Sequence, residues 1–167
     1  MIYSQPTIDS QLLEILATVS DPEIPVLTVL DLGVVRSAVL EENNLGRIVL
    51  TPTYSGCPAM DTMAADIATA LHEAGYASDF KLVLAPAWST DWISEEGRQK
   101  LEAYGVAAPL SETLDKRALI DGERIVKCTN CQSKNTKLIS QFGSTACKAL
   151  FQCEDCLEPF DYFKCLK

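Results

Sequence analysis

Ile8, Leu12, Ile15, Leu16 and Val19 recur at the spacing of one helix face, and Thr7 or Asp9 is a candidate cap. The period breaks over residues 20–35, SDPEIPVLTVLDLGVV, where two prolines and three acids favour an ordered loop. Val34–Leu40 reads as a strand. Glu41–Gly46 reads as a turn, with Asn43, Asn44 and Gly46 suited to positive φ. Arg47–Thr53 is the return strand of the hairpin. A helix then starts near Pro58, with Met60, Met63, Ala64, Ile67, Leu71 and Ala74 as its apolar stripe and Gly75 as its stop. Lys81–Leu84 predicts a third strand, and Asp91 or Ser94 opens a last helix that ends near Gly105. Helix, hairpin, helix, strand and helix make a two-layer α+β domain over residues 1–106. Residues 107–125 mix acids and bases without a period and read as a linker with room for one helical turn.

Composition narrows the class. The 167 residues are 47% hydrophobic, enough for one packed domain and a small appendage. No apolar run approaches the ~20 residues of a membrane span. The opening MIYSQPTIDS has neither the basic nor the apolar stretch of a signal peptide, so a cytoplasmic location is expected. Residues 1–126 hold 8 basic and 19 acidic side chains, a balance of −11, whereas residues 127–167 balance at +2. Such an acidic body argues against a nucleic-acid backbone as partner.

Six of the seven cysteines lie in the last forty residues. Cys128 and Cys131 form one CxxC pair, Cys153 and Cys156 a second, with 21 residues between the pairs. Each pair sets two sulfurs on one side of a tight turn, and two turns complete a tetrahedron. Four thiolates with no open position suit structural zinc, and a metal replaces the core that about forty residues cannot build alone. Residues 126–167 are therefore expected to be a zinc ribbon with a hairpin of Lys137–Phe142 and Ala149–Gln152. Iron in place of zinc, or two redox dithiols, are the competing readings. Cys147 is either a thiol activated by the adjacent Lys148 or a buried small residue. For Cys165 the buried reading is favoured.

Cys57 directly precedes the Pro58 helix, where unpaired N–H groups and the helix dipole favour a thiolate. Such a sulfur could bind a metal or cluster, act as a nucleophile, or pack as a half-buried structural cysteine. His72, the only histidine, lies fifteen residues on along the same helix. At ~1.5 Å per residue it is ~20 Å away, which removes a Cys–His couple. Asp21, Glu23 and Asp31 invite a carboxylate site, but acids beside prolines more often cap turns. Trp88 and Trp92 read first as core, second as a partner surface.

Asp21-Pro22-Glu23-Ile24-Pro25, Asp31-Leu32-Gly33-Val34-Val35 and Ser55-Gly56-Cys57-Pro58 together resemble the signature of SufT-like iron–sulfur assembly domains, over residues 8–105. The ribbon, with Cys128-Thr129-Asn130-Cys131, Phe142 to Ala149 and Glu158 to Lys164, narrows the resemblance to the PaaD (PaaJ) family of phenylacetyl-CoA epoxidase systems. Those systems contain a di-iron oxygenase and a reductase with flavin and a [2Fe–2S] cluster. This chain has one histidine, too few for two Glu-x-x-His motifs, and no glycine fingerprint for a dinucleotide. The resemblance therefore implies a non-catalytic maturation component that assists cluster assembly or insertion into the reductase. A permanent structural or regulatory subunit is the alternative. It also implies a transiently held iron or iron–sulfur cluster, with Cys57, Cys147, Asp21 and Glu23 as candidate contacts, beside the zinc held by Cys128, Cys131, Cys153 and Cys156.

Overall fold

The computed structural model describes residues 6–123 and 125–164. They form two compact units, the first running to Trp88 and the second beginning at Ser89. The α+β character expected from the pattern is present in the first, a mixed sheet carrying two helices.

The first unit has the strand order β1-β2-β3-β4, with β1 at Thr7–Ile8, β2 at Val35–Leu40, β3 at Leu45–Leu50 and β4 at Ala77–Leu82. The β2–β3 hairpin is antiparallel, and β1 and β4 join its two edges in parallel. Helix α1 spans Ser10–Leu16 and α2 spans Ala59–Glu73. Leu12 and Leu16 of α1 and Met63, Ile67 and Leu71 of α2 are buried with Ala38, Ile48 and Leu50 of the sheet. Each fully buried apolar side chain of this size contributes about 1.5–3 kcal/mol, so this core outweighs any single polar contact.

Three local differences from the sequence pattern have physical causes. Ile8 leaves the helix face for β1, because the Asp9 carboxylate accepts from Leu40 N–H at 2.6 Å and fixes the helix start against β2. Gly46 is not a turn residue but a strand residue. A Cβ there would meet Ala77 O at 3.5 Å and Leu71 Cδ1 at 3.6 Å, so its use is close packing. Positive φ in that turn falls on Asn44, at 59°. The third strand begins at Ala77, since its pairing with β3 runs from Leu45↔Ala77 to Leu50↔Leu82.

The loop before β2 is ordered by its acids and its apolar residues. Asp21 Oδ1 accepts from the N–H of Glu23 at 2.7 Å and of Ile24 at 2.6 Å. Asp31 Oδ2 accepts from Thr28 N–H at 3.1 Å and from its hydroxyl at 2.9 Å. Val29 N–H donates to Val19 O, folding the loop into a short return. Ile24 and Leu27 are buried beneath it. Trp88 is also core, and its Nε1–H donates to Leu32 O at 2.9 Å.

The second unit begins well before the expected boundary at residue 106. Helix α3, Glu95–Tyr104, is capped by Ser94, whose Oγ accepts from Gly97 N–H at 2.9 Å, and ends at Gly105 with φ 91°. It leads into β5, Val106–Ala107, which pairs in parallel with β8, Pro159–Phe163. The segment expected as a linker carries α4, Glu112–Leu119, and Ala118 packs into the same core as Ala149, Phe151, Phe160 and Tyr162. The N–H of Leu110 donates to the Tyr162 hydroxyl at 3.0 Å. These contacts explain why the compact unit starts at Ser89. Strands β6, Thr136–Ser140, and β7, Lys148–Cys153, form the expected hairpin, shifted by a residue at several ends, in a sheet of order β5-β8-β7-β6. Trp92 is half-buried in a 3-10 turn, Thr90–Trp92. Among the described residues, no helix is long and apolar enough to cross a membrane.

Candidate functional site

The ribbon's two cysteine turns are local repeats of one geometry. Cys128 N–H donates to Ser133 O at 2.9 Å, and Cys153 N–H donates to Glu158 O at 2.9 Å. The residue after each second cysteine, Gln132 or Leu157, has positive φ, 62° and 65°. This left-handed step, uncommon for a non-glycine residue, turns the chain so that backbone N–H groups face sulfur. Asn130 N–H reaches Cys128 Sγ at 3.4 Å, and Cys156 N–H reaches Cys153 Sγ at 3.5 Å.

The four ligand atoms lie within 4.8 Å of one another. Across the two turns, Cys128 and Cys156 sulfurs are 3.7 Å apart and Cys131 and Cys153 sulfurs are 3.5 Å apart. Sulfurs about 2.3 Å from a tetrahedral metal lie close to 3.8 Å from each other, so the arrangement fits a four-thiolate ion. As thiols, Cys156 and Cys131 are shifted in opposite directions. Cys156 is pulled down to about 7, first by the N–H of Glu158. Cys131 is pushed up to about 12: the N–H of Ser133 acts downward, but desolvation and the three other thiols outweigh it. A divalent cation held by Cys128, Cys131, Cys153 and Cys156 would displace the remaining thiol protons. Cys128 and Cys153 are buried, and Cys131 is exposed.

Cys57 sits elsewhere, in the first unit. Its N–H donates to Tyr54 O at 3.1 Å, and Pro58 leads into α2. The sequence favours a thiolate there, yet the thiol is raised above its ordinary value. Burial is the largest cause, and the charges of Glu23 and Asp21 add to it. The N–H of Ala59 and the hydroxyl of Thr53 donate to the sulfur and oppose the rise without cancelling it. The helix terminus therefore contributes donors to the sulfur, while the acidic loop makes the same spot attractive to a cation. His72 belongs to the last turn of α2, at the far end from Cys57. The donation from Thr53, three residues past β3, has no spacing signal and was missed by pattern reading.

Cys147 belongs to the second unit and is 6% exposed. Its sulfur lies 3.0 Å from Thr145 Oγ1. The amine that interacts electrostatically with it is that of Lys164, whose backbone N–H donates to Cys147 O at 2.9 Å. Lys148 is itself buried and reaches Ser144 Oγ at 3.3 Å. Desolvation lowers the Lys164 amine, with Cys147 acting in the opposite sense. Lys164 also donates to Gln141 O and stands 4.2 Å from the centroid of the Phe142 ring. Cys165 falls outside the described residues.

Comparison with known proteins places both units. Residues 9–76 match the family model described as iron–sulfur cluster assembly protein, and residues 112–164 match the PaaD zinc beta ribbon domain. The chain is 46% identical over 153 residues to an Escherichia coli protein provisionally named as one of the subunits of 1,2-phenylacetyl-CoA epoxidase, covering 91% of this chain and 90% of that one. It is 30% identical over 95 residues to a Porphyromonas gingivalis protein named Fe-S protein maturation auxiliary factor, covering 56% of this chain and 90% of that one. The crystal structure of a domain of unknown function, DUF59, from Bacillus anthracis is similar with a TM-score of 0.51 and 28% identity, over 55% of this chain and 88% of that one. With an iron–sulfur assembly domain followed by a four-cysteine ribbon, and with near full-length similarity to the Escherichia coli protein, the chain belongs to the PaaD family.

Proposed function

We propose that this chain is a non-catalytic maturation component of a phenylacetyl-CoA epoxidase system, assisting assembly or insertion of an iron–sulfur cluster into the system's reductase. The observation that carries the reading is the surroundings of Cys57. One thiol, with Thr53 and Ala59 donating to it and the charges of Glu23 and Asp21 acting on it, is a soft ligand in an acidic setting. A single soft protein ligand beside hard carboxylates suits an iron or cluster cargo that must be released again. The names of the two relatives, one an epoxidase component and one a maturation factor, support the same reading. Cys147, enclosed in its own unit, is not needed for it. The ribbon zinc has no open position and takes a structural role, organising a surface for the client.

The name of the Escherichia coli relative favours one alternative, a permanent structural or regulatory subunit of the complex. Iron and acid-labile sulfide are to be measured in protein purified without oxygen, for the native chain and for Cys57→Ser. The proposal expects sub-stoichiometric iron that falls in the variant while zinc is unchanged. Equal iron in both, with the chain remaining bound to the complex at fixed stoichiometry, supports the permanent subunit instead.

A further inference from the structure

The two cysteine turns are joined to each other by more than the metal site. Asp155 lies between Cys153 and Cys156, at the position that Asn130 occupies in the first turn. Asn130 reaches across to the Cys156 sulfur, its Nδ2 at 3.7 Å. Asp155 reaches across in the other direction. Its Oδ2 accepts from Ser133 Oγ at 2.5 Å, and its Oδ1 accepts from Asn135 Nδ2 at 2.6 Å. The backbone beside it repeats the link, with Glu154 N–H donating to Asn135 O at 2.8 Å. Ser133 is itself part of the first turn, because its carbonyl accepts from Cys128 N–H and its own N–H acts on the Cys131 sulfur.

A carboxylate is a poor choice beside four thiolates if charge alone mattered, since the thiolates already outnumber the charge of a divalent ion. Its two oxygens are instead engaged by donors of the opposite turn, and it is not one of the grouped ligands. We infer that Asp155 is a positioning residue: with Ser133 and Asn135 it brackets the two cysteine turns so that the four sulfurs stand in near-tetrahedral order and the metal is slow to leave. Partners of this outer kind commonly change metal affinity by about 10–100-fold. Asp155 is exposed, so the low end of that range applies.

The test uses the reduced full-length chain, loaded with Zn²⁺ for chelator competition and with Co²⁺ for absorption spectroscopy. Asp155→Ala should lose zinc affinity by about tenfold while its saturated Co²⁺ spectrum keeps the four-thiolate signature. Ser133→Ala removes the Asp155 bond to one oxygen only, together with the Asn135 N–H bond to the same hydroxyl, and leaves charge unchanged; it should weaken zinc by about threefold, roughly half the free-energy effect of Asp155→Ala, which loses both oxygens. Unchanged affinity in either variant overturns the bracket. A weaker thiolate-to-cobalt band at saturation in Asp155→Ala also overturns it, because the residue would then be acting on the ligand set itself. If Asp155→Ala does not fold, Ser133→Ala alone decides.

Discussion

The sulfurs of Cys128 and Cys156, from different turns and 28 residues apart in sequence, lie 3.7 Å from each other. That separation is close to the edge of a four-sulfur tetrahedron around a metal. The ribbon's core is small, with Phe151, Phe160 and Tyr162 as its aromatic centre. Metal binding of this type supplies about 10–16 kcal/mol in comparable peptides, more than such a core can spare.

Cys131→Ser should therefore release zinc and unfold the ribbon turns while the first unit stays intact. Zinc content and hydrogen exchange resolved along the chain measure this. A full zinc complement in the variant would remove Cys131 from the ligand set.

The place to cut the chain follows from the pairing of β5 with β8. A chain ending after Trp88 should unfold cooperatively as an independent domain, because its core residues all precede that point. A chain ending near Leu110 should carry residues 89–110 as a protease-sensitive tail, since β5 has lost β8 and Leu110 has lost the Tyr162 hydroxyl. Protection of that tail in limited proteolysis would show that α3 is held by the first unit instead.

The legible parts of this molecule were those with a repeating signal. The apolar stripe of α2, the β2–β3 hairpin and the CxxC spacing each repeat at a period set by helix, strand or metal geometry. The boundary at Ser89 was not legible, because β5 is two residues long and its pairing partner β8 lies more than fifty residues away. Ala118 and Leu119, adjacent residues that seat α4 on the ribbon core, give no period either. At Cys57 the helix terminus was visible in sequence, but the burial that raises the thiol depends on the folded loop and was not. Asp155 lies inside a motif whose cysteines attract attention, and its partners Ser133 and Asn135 become meaningful only once the two turns face each other.

The Cys57 thiol titrates above the ordinary value, with burial first and Glu23 and Asp21 among the causes. Its alkylation should accordingly be slow at neutral pH and accelerate as pH rises through the raised value. Glu23→Gln removes one raising charge, so the midpoint should move down and the rate at pH 8 should rise. Glu23 is preferred to Asp21 because Asp21 also holds the turn through Glu23 and Ile24. A midpoint that stays fixed or moves up in the variant would show that the Glu23 charge does not act on this sulfur.

On the proposed function, Cys57 serves the cluster of another protein. The most direct measurement of that role is the iron and acid-labile sulfide content of the epoxidase reductase produced in cells whose only copy of this chain carries Cys57→Ala. A folded, zinc-loaded variant and a reductase depleted of its cluster by severalfold are expected, in line with loss of a soft metal ligand. A reductase with its normal cluster content in those cells would contradict it and leave Cys57 a packing residue at the start of α2.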